Sequence, residues 1–241
     1  MVTFLSTSVS NMNTAIVSGA SGAVGRVVTE RFLKGAWRVY ALTRRAESAQ
    51  GLSQNLSQYG QRLHVVVCDI ANPSSVHNFL TTSQLHQCHA VVHCAGGIRA
   101  GTLIEETSPE VVQAMLEINY LTAYNLLRAT LPLLKSSGGA VVTIAATSAL
   151  RAEMKKSAYA ASKAALIALT QATAHEGKQY GVRANCIIPS IIDTPANREW
   201  GTPEQVVHWV RLEHIAEAVW MLCTDAGQGI SGALLPMTGT M

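Results

Sequence analysis

Short apolar runs and longer segments of helical period alternate along the chain. The apolar runs lie at residues 15–19, 39–43, 63–69, 90–96, 140–146, 182–188 and 233–237. Helical periodicity is found at residues 25–35, 74–85, 109–135, 157–179 and 213–224. Continuous apolar runs are typical of strands buried on both faces, and strands that alternate with helices form parallel sheets. The pattern therefore predicts an α/β protein with a doubly wound, seven-stranded parallel sheet and helices on both faces.

The length and composition fit one folded domain after a short tail. A chain of 241 residues is long enough for one large α/β domain, and 48% hydrophobic against 14% charged residues indicates a compact core. Residues 1–13 are predicted to be a loose tail, since they lack the basic start and long apolar centre of a secretion signal. Residues 14–241 contain no linker and no repeat, and we expect them to form a single domain.

Charge, hydropathy and cysteine usage argue against several kinds of partner. The net charge of +3 is small and the basic residues are scattered, so no nucleic acid is expected. No apolar run reaches the roughly 18 residues that cross a bilayer, so no membrane contact is expected. The five cysteines are an odd number without a CxxC pair, which indicates free thiols in the cytoplasm. His86 and His89 lack matching thiolates or carboxylates, so no metal site is expected.

A glycine-rich turn follows the first predicted strand. Its sequence, Ser18-Gly-Ala-Ser-Gly-Ala-Val-Gly25, opens a helix that begins near Arg26. Glycines let the backbone turn tightly and approach a pyrophosphate, whose charge the helix N-terminus stabilises. At the first strand-to-helix junction this pattern is typical of dinucleotide binding, and a purely structural turn is the alternative.

The ends of the next three predicted strands suit the same ligand. Thr43 stands where an acidic residue would bind the ribose hydroxyls of NAD, and two arginines, Arg44 and Arg45, follow it. An arginine there accepts the 2′-phosphate of NADP, so NADP(H) is favoured over NAD(H), with a solvated arginine pair as the alternative. Asp69 suits an adenine amino group or else caps the next helix, and small residues at 95–97 permit close approach of a cofactor.

Tyr159 and Lys163 lie four residues apart in a segment of helical period. Residues at that spacing share a helix face. A phenol titrates near pH ~10, and a neighbouring ammonium favours its ionised form, which brings proton exchange towards neutral pH. The pair predicts an acid/base site, and a chance spacing is the alternative.

Together these motifs resemble those of the short-chain dehydrogenase/reductase family over residues 14–241. The match also includes Asn119 and the segment 189–194. The resemblance implies a Rossmann-type fold in which Tyr159 is the general acid/base, while Lys163 lowers its pKa and binds the nicotinamide ribose. It further implies that Asn119 holds a proton-relaying water and that Thr194 binds the nicotinamide carboxamide. The candidate cofactor-binding residues are Gly19, Ser21, Gly22, Ala23, Val24, Gly25, Thr43, Arg44, Arg45, Asp69, Ile70, Cys94, Ala95, Gly96, Tyr159, Lys163, Pro189, Ile192 and Thr194.

Three positions depart from the family pattern. The usual Asn-Asn-Ala-Gly reads His93-Cys94-Ala95-Gly96, and the usual Pro-Gly reads Pro189-Ser190. The catalytic serine that the family has thirteen positions before the tyrosine is Ala146 here. Thr147 and Ser148 are the candidates for the missing hydroxyl, which stabilises charge on a substrate oxygen.

Some of these features look like the dihydropteridine reductase branch of the family, which also lacks the serine. They are the glycine pattern at 19–25, Ala-Gly-Gly at 95–97, Ala146 and the segment 193–198. Reduction of a quinonoid C=N group builds no charge on a carbonyl oxygen, so the tyrosine would suffice. That branch generally uses NADH with an acidic residue after the second strand, whereas Arg44 favours another cofactor.

The later part of the chain bears on substrate size and on oligomers. Only residues 195–212 follow Thr194 before the next helix, which predicts a small or open substrate pocket; alternatively, Trp200 and Trp209 simply cover the core. The segments 109–135 and 157–179 are apolar beyond one stripe. The resemblance implies that they form the interface of a homodimer, often within a homotetramer, and a deep intrachain core is the alternative.

The sequence thus predicts an NADPH-dependent oxidoreductase that transfers a hydride to a small carbonyl substrate, a ketone or a 3-oxoacyl group, with Tyr159 as proton donor. Two alternatives stay open. One is the reduction of a quinonoid C=N substrate in the manner of dihydropteridine reductases, and the other is a regulatory protein that binds a dinucleotide without catalysis.

Overall fold

The computed structural model describes residues 12–240 and has the predicted α/β architecture. Its strands are β1 (Thr14–Ser18), β2 (Arg38–Thr43), β3 (Leu63–Val67), β4 (Ala90–His93), β5 (Ala140–Ile144), β6 (Arg183–Pro189) and β7 (Leu234–Met237). The α-helices are α1 (Ala23–Lys34), α2 (Ala46–Asn55), α3 (Pro73–Ser83), α4 (Pro109–Leu116), α5 (Thr122–Lys135), α6 (Ser157–Gly177), α7 (Pro195–Arg198), α8 (Pro203–Val206) and α9 (Leu212–Cys223).

The seven strands form one parallel sheet in the order β3-β2-β1-β4-β5-β6-β7. The chain builds outwards from β1 to β3, then returns to add β4 on the other side of β1. At such a reversal the two loops that follow the neighbouring strands diverge and leave a crevice at the carboxyl ends. The end of β1, at Ser18, and the end of β4, at His93, therefore flank the place where a ligand binds in folds of this type.

The core lies on both faces of the sheet. On one face, α1 and α9 pack their apolar sides against the strands, with Phe32, Leu33 and Leu222 fully buried. On the other face, α3 and α5 do the same, with Leu126 and Leu127 fully buried. The strands between the two layers, β1, β4 and β5, are buried along their whole length. The predicted strands covered on both faces are confirmed for the middle of the sheet.

The edges of the sheet differ from that expectation. Along β3 the residues are only partly buried, and Val67 at its end is 54% exposed. The other edge strand, β7, is also partly exposed and contains Pro236, which has no amide hydrogen to donate. Proline is tolerated where a strand has no further neighbour to bond.

Helix boundaries were harder to predict than strands. Helix α2 was missed, because it is polar and buries Leu52 as its one fully covered residue. The single helical segment predicted at 109–135 is divided by a π-helical turn at Glu117–Leu121. The tail predicted for residues 1–13 lies outside the described residues, apart from its last two. Within residues 12–240, none of the helices combines the length and the hydropathy that a bilayer span requires.

Candidate active site

The glycine-rich turn between β1 and α1 is packed against the end of β4. Gly19 has a φ of +63°, and a Cβ there would lie 2.6 Å from the backbone nitrogen of Ala95. A Cβ on Gly25 would overlap the carbonyl oxygen of Gly19. Only glycine fits at these two positions. Helix α1 has Gly22 as its N-cap, with no side chain bonded to its first amides, so those of Ala23 and Val24 are left for an anion.

A cleft of about 470 Å³ opens beside this turn, at the carboxyl ends of β1 to β4. Many of the predicted cofactor-binding residues line it: Gly19, Ser21, Gly22, Thr43, Arg44, Arg45, Asp69, Ile70, Cys94, Ala95 and Gly96. Ser48, Arg99, Met115 and Thr122 also line the cleft and were not predicted. They belong to helices and a loop without a recognisable motif, so no sequence signal singles them out.

The charged rim of the cleft lies at the end of β2. Thr43 is buried and its hydroxyl donates to the carbonyl of Arg45 at 3.4 Å. Arg44 and Arg45 are exposed on the cleft, and neither forms an ion pair with the part of the chain that the structure describes. Two guanidinium groups with no internal anion suit a ligand phosphate.

Asp69 lies exposed beyond the end of β3. Its Oδ1 accepts a hydrogen bond from the Ala71 amide at 3.1 Å, and its side chain lines the cleft. The alternative role as a helix cap is wrong, because Asn72 caps α3 by accepting from the Ser74 amide at 2.9 Å.

Asn119 lies in the π-helical turn between α4 and α5 and is fully buried. Its Oδ1 accepts from the Gly97 amide at 3.0 Å, and its Nδ2 donates to the Gly97 carbonyl at 2.9 Å and to the Ser162 hydroxyl at 3.0 Å. Ser162 in turn donates to the Tyr159 carbonyl at 2.7 Å. The amide thereby ties the loop after β4 to the turn of α6 that carries Tyr159. π-helical turns occur frequently at functional sites.

Lys163 is buried beneath this loop. Its Nζ donates to the Ile144 carbonyl at the end of β5, at 2.8 Å. A Cβ on Gly96 would lie 2.8 Å from Asn119 Oδ1 and 3.1 Å from Lys163 Nζ, so the glycine separates the two side chains. Burial lowers the pKa of Lys163 to about 8, and the electrostatic interaction with the neighbouring Cys186 and Cys94 acts in the opposite direction. The structure thus brings Asn119 and Lys163 together on either side of Gly96.

Tyr159 is one turn before Lys163 on α6 and is partly buried. Burial raises the pKa of its phenol to about 12, and the nearby Glu153 carboxylate contributes in the same direction. This direction is opposite to the lowering expected from Lys163. The reason is that burial disfavours the charged phenolate, and the anionic Glu153 adds to that effect. Tyr159 therefore keeps its proton at neutral pH.

His93 ends β4 and is fully buried. Its Nδ1 lies 2.9 Å from the Ser18 hydroxyl, and its Nε2 lies 3.5 Å from the Thr122 hydroxyl, which itself donates to the Ile118 carbonyl. Burial, with help from the Lys163 cation, lowers the pKa of His93 to about 3. The imidazole is therefore neutral and joins β1 to α5 beneath the cleft. Sequence reasoning noted this residue only as a departure from the family pattern.

Ala146 and the turn that follows it occupy the place where the family has its catalytic serine. Ala146 is extended at the end of β5 and buried, and a turn of 3₁₀ helix at Thr147–Ala149 follows it. The half-buried Thr147 accepts the Leu150 and Arg151 amides through its backbone carbonyl. Ser148 is buried, and its hydroxyl donates to Glu153 Oε1 at 2.8 Å. Neither Glu153 nor Ser162 was predicted, because each acts through a contact that no local motif announces.

The segment at and after the end of β6 contains the remaining predicted cofactor-binding residues. Pro189 ends β6, and Ile192 pairs with Val210. Thr194 caps α7 by accepting the Asn197 amide at 3.2 Å, and the hydrogen of its hydroxyl stays available to a ligand. Trp209 is buried, whereas Trp200 is 59% exposed and packs on it with ring centroids 5.0 Å apart. One of the two tryptophans therefore covers the core, and the other lies outside it.

The residues present fit a nicotinamide dinucleotide. The glycine cradle has no room for a side chain, the first amides of α1 suit a pyrophosphate, and the arginines suit a further phosphate. When bound, such a cofactor supplies a hydride. The fold and this cleft define a dinucleotide-binding α/β protein.

Comparison with known proteins gives the family. The family model described as short chain dehydrogenase matches residues 13–205. The chain belongs to the short-chain dehydrogenase/reductase family and is an NAD(P)-dependent oxidoreductase.

Similar proteins cover nearly the whole chain. It is 29% identical to the 3-oxoacyl-(acyl-carrier-protein) reductase FabG of Chlamydia trachomatis serovar D, over 95% of this chain and 96% of the relative. It is 30% identical to the 2-(R)-hydroxypropyl-CoM dehydrogenase of Xanthobacter autotrophicus, over 93% of this chain and 96% of that one.

Solved structures show the same fold. ElxO with NADP bound superposes with a TM-score of 0.87 at 20% identity, over 93% of this chain and 96% of that one. NAD⁺-bound xylitol dehydrogenase superposes with a TM-score of 0.86 at 20% identity, over 94% of this chain and 98% of that one. The seven-stranded Rossmann-type fold is thereby confirmed.

Proposed function

We propose that this chain is an NADPH-dependent oxidoreductase that transfers a hydride to a small carbonyl substrate, with Tyr159 donating the proton. The observation that carries the proposal is the hydrogen-bonded group formed by Asn119, Ser162 and the Tyr159 backbone, next to the buried Lys163. A protein that only binds a dinucleotide has no need to bury an ammonium and an amide beside a tyrosine. The relatives named as a reductase and a dehydrogenase support the same class of reaction.

Each residue has a role that follows from its geometry. Tyr159 holds its proton at neutral pH, because its pKa is raised, and releases it to the substrate oxygen as charge develops there. Lys163 is mainly protonated at neutral pH, because its pKa is about 8, and places a positive charge below the loop of Gly96. Asn119 fixes that loop through both atoms of the Gly97 peptide group.

The catalytic assignment is tested with Tyr159→Phe. We expect kcat for carbonyl reduction to fall by about 100-fold or more, because general acid catalysis contributes about 10²–10⁴-fold. The dissociation constant of NADPH should stay unchanged. Tyr180→Phe is the matched control, since Tyr180 is exposed after α6. Wild-type turnover by the Tyr159→Phe variant would rule out the assignment.

The preference for NADPH is supported by Arg44 and Arg45 on the cleft and by the uncharged Thr43. Replacing Arg44 by Ala should lower kcat/KM for NADPH by about 10-fold, the value of one charge-assisted hydrogen bond, and leave the value for NADH unchanged. The exposed Arg128 on α5 lies away from the lining of the cleft and provides the control, as Arg128→Ala. Equal losses with both cofactors would contradict the assignment.

A second candidate is the reduction of a quinonoid C=N substrate. It is favoured by Ala146, which offers no hydroxyl to a carbonyl oxygen. Turnover of a quinonoid dihydropterin with NADPH, but of no ketone and no 3-oxoacyl thioester, would select this candidate.

We also propose a homodimer or homotetramer through the segments 109–135 and 157–179. Leu126, Leu127 and Leu166 are fully buried within one chain and need no partner. Leu121 and Tyr124 support the proposal, because they are 37% and 42% exposed on the same helical segment. Light scattering of the wild type and of Leu121→Glu tests it.

A cytoplasmic location stays a proposal, supported by the five free thiols.

A further inference from the structure

A third arginine, Arg99, lines the cleft in addition to Arg44 and Arg45. It lies in the loop after β4 and is exposed. Within residues 12–240 it forms no ion pair with a carboxylate. A guanidinium group on a cleft, with no internal anion, is available to the phosphate of a ligand.

The backbone of Arg99 is anchored to the wall of the cleft. Its amide donates to Met115 Sδ at 3.2 Å, and Met115 is buried and lines the same cleft. Two residues earlier, Asn119 bonds to both the amide and the carbonyl of Gly97. Because the loop is held at both places, binding a ligand at Arg99 mainly requires the ordering of its side chain.

Arg99 and the arginine pair lie on opposite sides of the glycine-rich turn. In the sheet, β2 and β4 are the two neighbours of β1. Arg44 and Arg45 follow β2, Arg99 follows β4, and the turn with the first amides of α1 follows β1. Gly19 in that turn packs against the backbone of Ala95, four residues before Arg99. A pyrophosphate at the first amides of α1 therefore lies between the arginine pair and Arg99.

The charge balance of the cleft depends on Arg99. The lining contains two carboxylates, Asp69 and Glu117, beside the three arginines. Without Arg99 these carboxylates would balance the charges of Arg44 and Arg45. The lining would then offer no net positive charge to a pyrophosphate, in which both phosphates are anionic.

We propose that Arg99 is a cofactor-binding residue that holds the pyrophosphate of the nicotinamide dinucleotide from the side opposite Arg44 and Arg45. NADPH and NADH share this group, so Arg99 contributes to the binding of both. The arginine pair acts on the 2′-phosphate, which NADPH alone carries. This inference rests on the proposed function, in which the cleft binds the cofactor.

An anionic group of the substrate suits Arg99 less well. Arg99 shares the cleft with Gly19 and Gly22 of the glycine-rich turn. Neither Tyr159 nor Lys163 is among the described residues that line this cleft. Arg99 is therefore grouped with the phosphate-binding backbone and not with the proton donor.

The test measures the dissociation constants of NADPH, NADH and 2′-AMP by calorimetric titration. The last of these carries the 2′-phosphate and lacks the pyrophosphate. Arg99→Ala should weaken NADPH and NADH by the same factor, about 10-fold, the value of one charge-assisted hydrogen bond, and leave 2′-AMP unchanged. Arg44→Ala should instead weaken NADPH and 2′-AMP and leave NADH unchanged. Arg99→Lys keeps the charge and loses the planar fork, so it should recover part of the affinity.

The control is Arg128→Ala, at an exposed position of α5 away from the lining of the cleft, which should bind all three ligands like the wild type. The affinity of Arg99→Ala for NADH should also depend less steeply on salt than that of the wild type, a change that a purely structural role would not produce. Wild-type affinity of Arg99→Ala for both cofactors, or a loss confined to NADPH, would overturn the inference alone. No binding of either cofactor by the wild type would overturn the proposed function and the inference with it.

Discussion

The carboxyl edge of the sheet has two regions that are built in different ways: the cofactor side at the end of β1, and the proton-transfer side at the end of β5 and on α6. Around the end of β1 the site is shaped by the absence of side chains. A Cβ at Gly19 or at Gly25 would collide with backbone atoms. Around the end of β5 and α6 it consists of buried polar side chains, such as Asn119 and Lys163, held by partners far away in the sequence. The cofactor side needs room for the dinucleotide to approach the backbone. The proton-transfer side needs charged and polar groups that are shielded from water. The two sides should therefore fail differently when they are mutated.

The largest effect is expected on the proton-transfer side, from Lys163→Met. This change removes the buried cation below the site, and kcat should fall by about 10³-fold, within the range of general acid/base contributions. Lys178→Met, at an exposed position after α6, is the control and should keep wild-type kcat. Steady-state kinetics with saturating NADPH measures both. A fall in NADPH affinity with unchanged kcat would place Lys163 on the cofactor side of the comparison instead.

The cofactor side is tested by Gly19→Ala. The new Cβ meets the Ala95 backbone and occupies a φ of +63°, so NADPH affinity should fall by about 10-fold or more and the unfolding free energy by about 1–3 kcal/mol. Gly51→Ala is the matched control, since nothing lies within 4 Å of a Cβ there, in the middle of α2. That variant should be more stable by about 0.5–1 kcal/mol with unchanged NADPH affinity. Calorimetric titration and thermal unfolding measure these quantities.

The boundary between the two sides is tested by His93→Asn. The folded pKa of His93 is about 3 and its ordinary value 6.5, so between these values the unfolded chain binds a proton that the folded one does not. Stability due to this group is complete above about pH 6.5 and falls as the pH drops towards 3, by up to about 1.4 kcal/mol per pH unit.

The asparagine variant should lose stability less steeply over that range in urea unfolding at several pH values. Its destabilisation relative to the wild type should be smaller than that of Gly19→Ala near neutral pH and should shrink further as the pH falls below 6.5. Equal slopes for the two proteins would show that His93 is not the group that titrates.

The smallest effect is expected in the segment after β6, from Arg198→Ala. The guanidinium donates to both oxygens of Asp193, at 2.5 and 2.7 Å, but its side chain is 61% exposed. Exposed ion pairs contribute little, because water and salt screen them. The melting temperature should change within the error of thermal unfolding at physiological salt. A clear loss would mean that this ion pair contributes more than exposed pairs usually do.

The same contrast explains what the sequence could predict. The strands, the turn at 18–25 and the spacing of Tyr159 and Lys163 are local patterns, and each was placed correctly in the fold. A glycine that is required for close packing of the backbone can be recognised in a sequence, because it directly follows a predicted strand.

The partners of the buried polar groups were not predictable in this way. His93 and Ser18 are 75 residues apart, and Asn119 and Ser162 are 43 apart, so only the folded chain brings them together. The direction expected for the Tyr159 pKa was wrong for the same reason, since burial of the phenol and, after it, the Glu153 carboxylate raise that pKa. The polar helix α2 was missed because most of its side chains meet solvent.

The π-helical turn at Glu117–Leu121 has a consequence for the whole helical segment around it. A turn of this kind contains one residue more than an α-helical turn, and one residue corresponds to about 100° of rotation. The turn therefore sets α4 and α5 out of phase, so that α4 can pack on α6 while α5 presents Leu126 and Leu127 to the sheet. Deleting a single residue there would rotate one helix against the other and turn Asn119 away from Gly97. The contact between the loop after β4 and helix α6 therefore depends on the number of residues in this segment as well as on their identity.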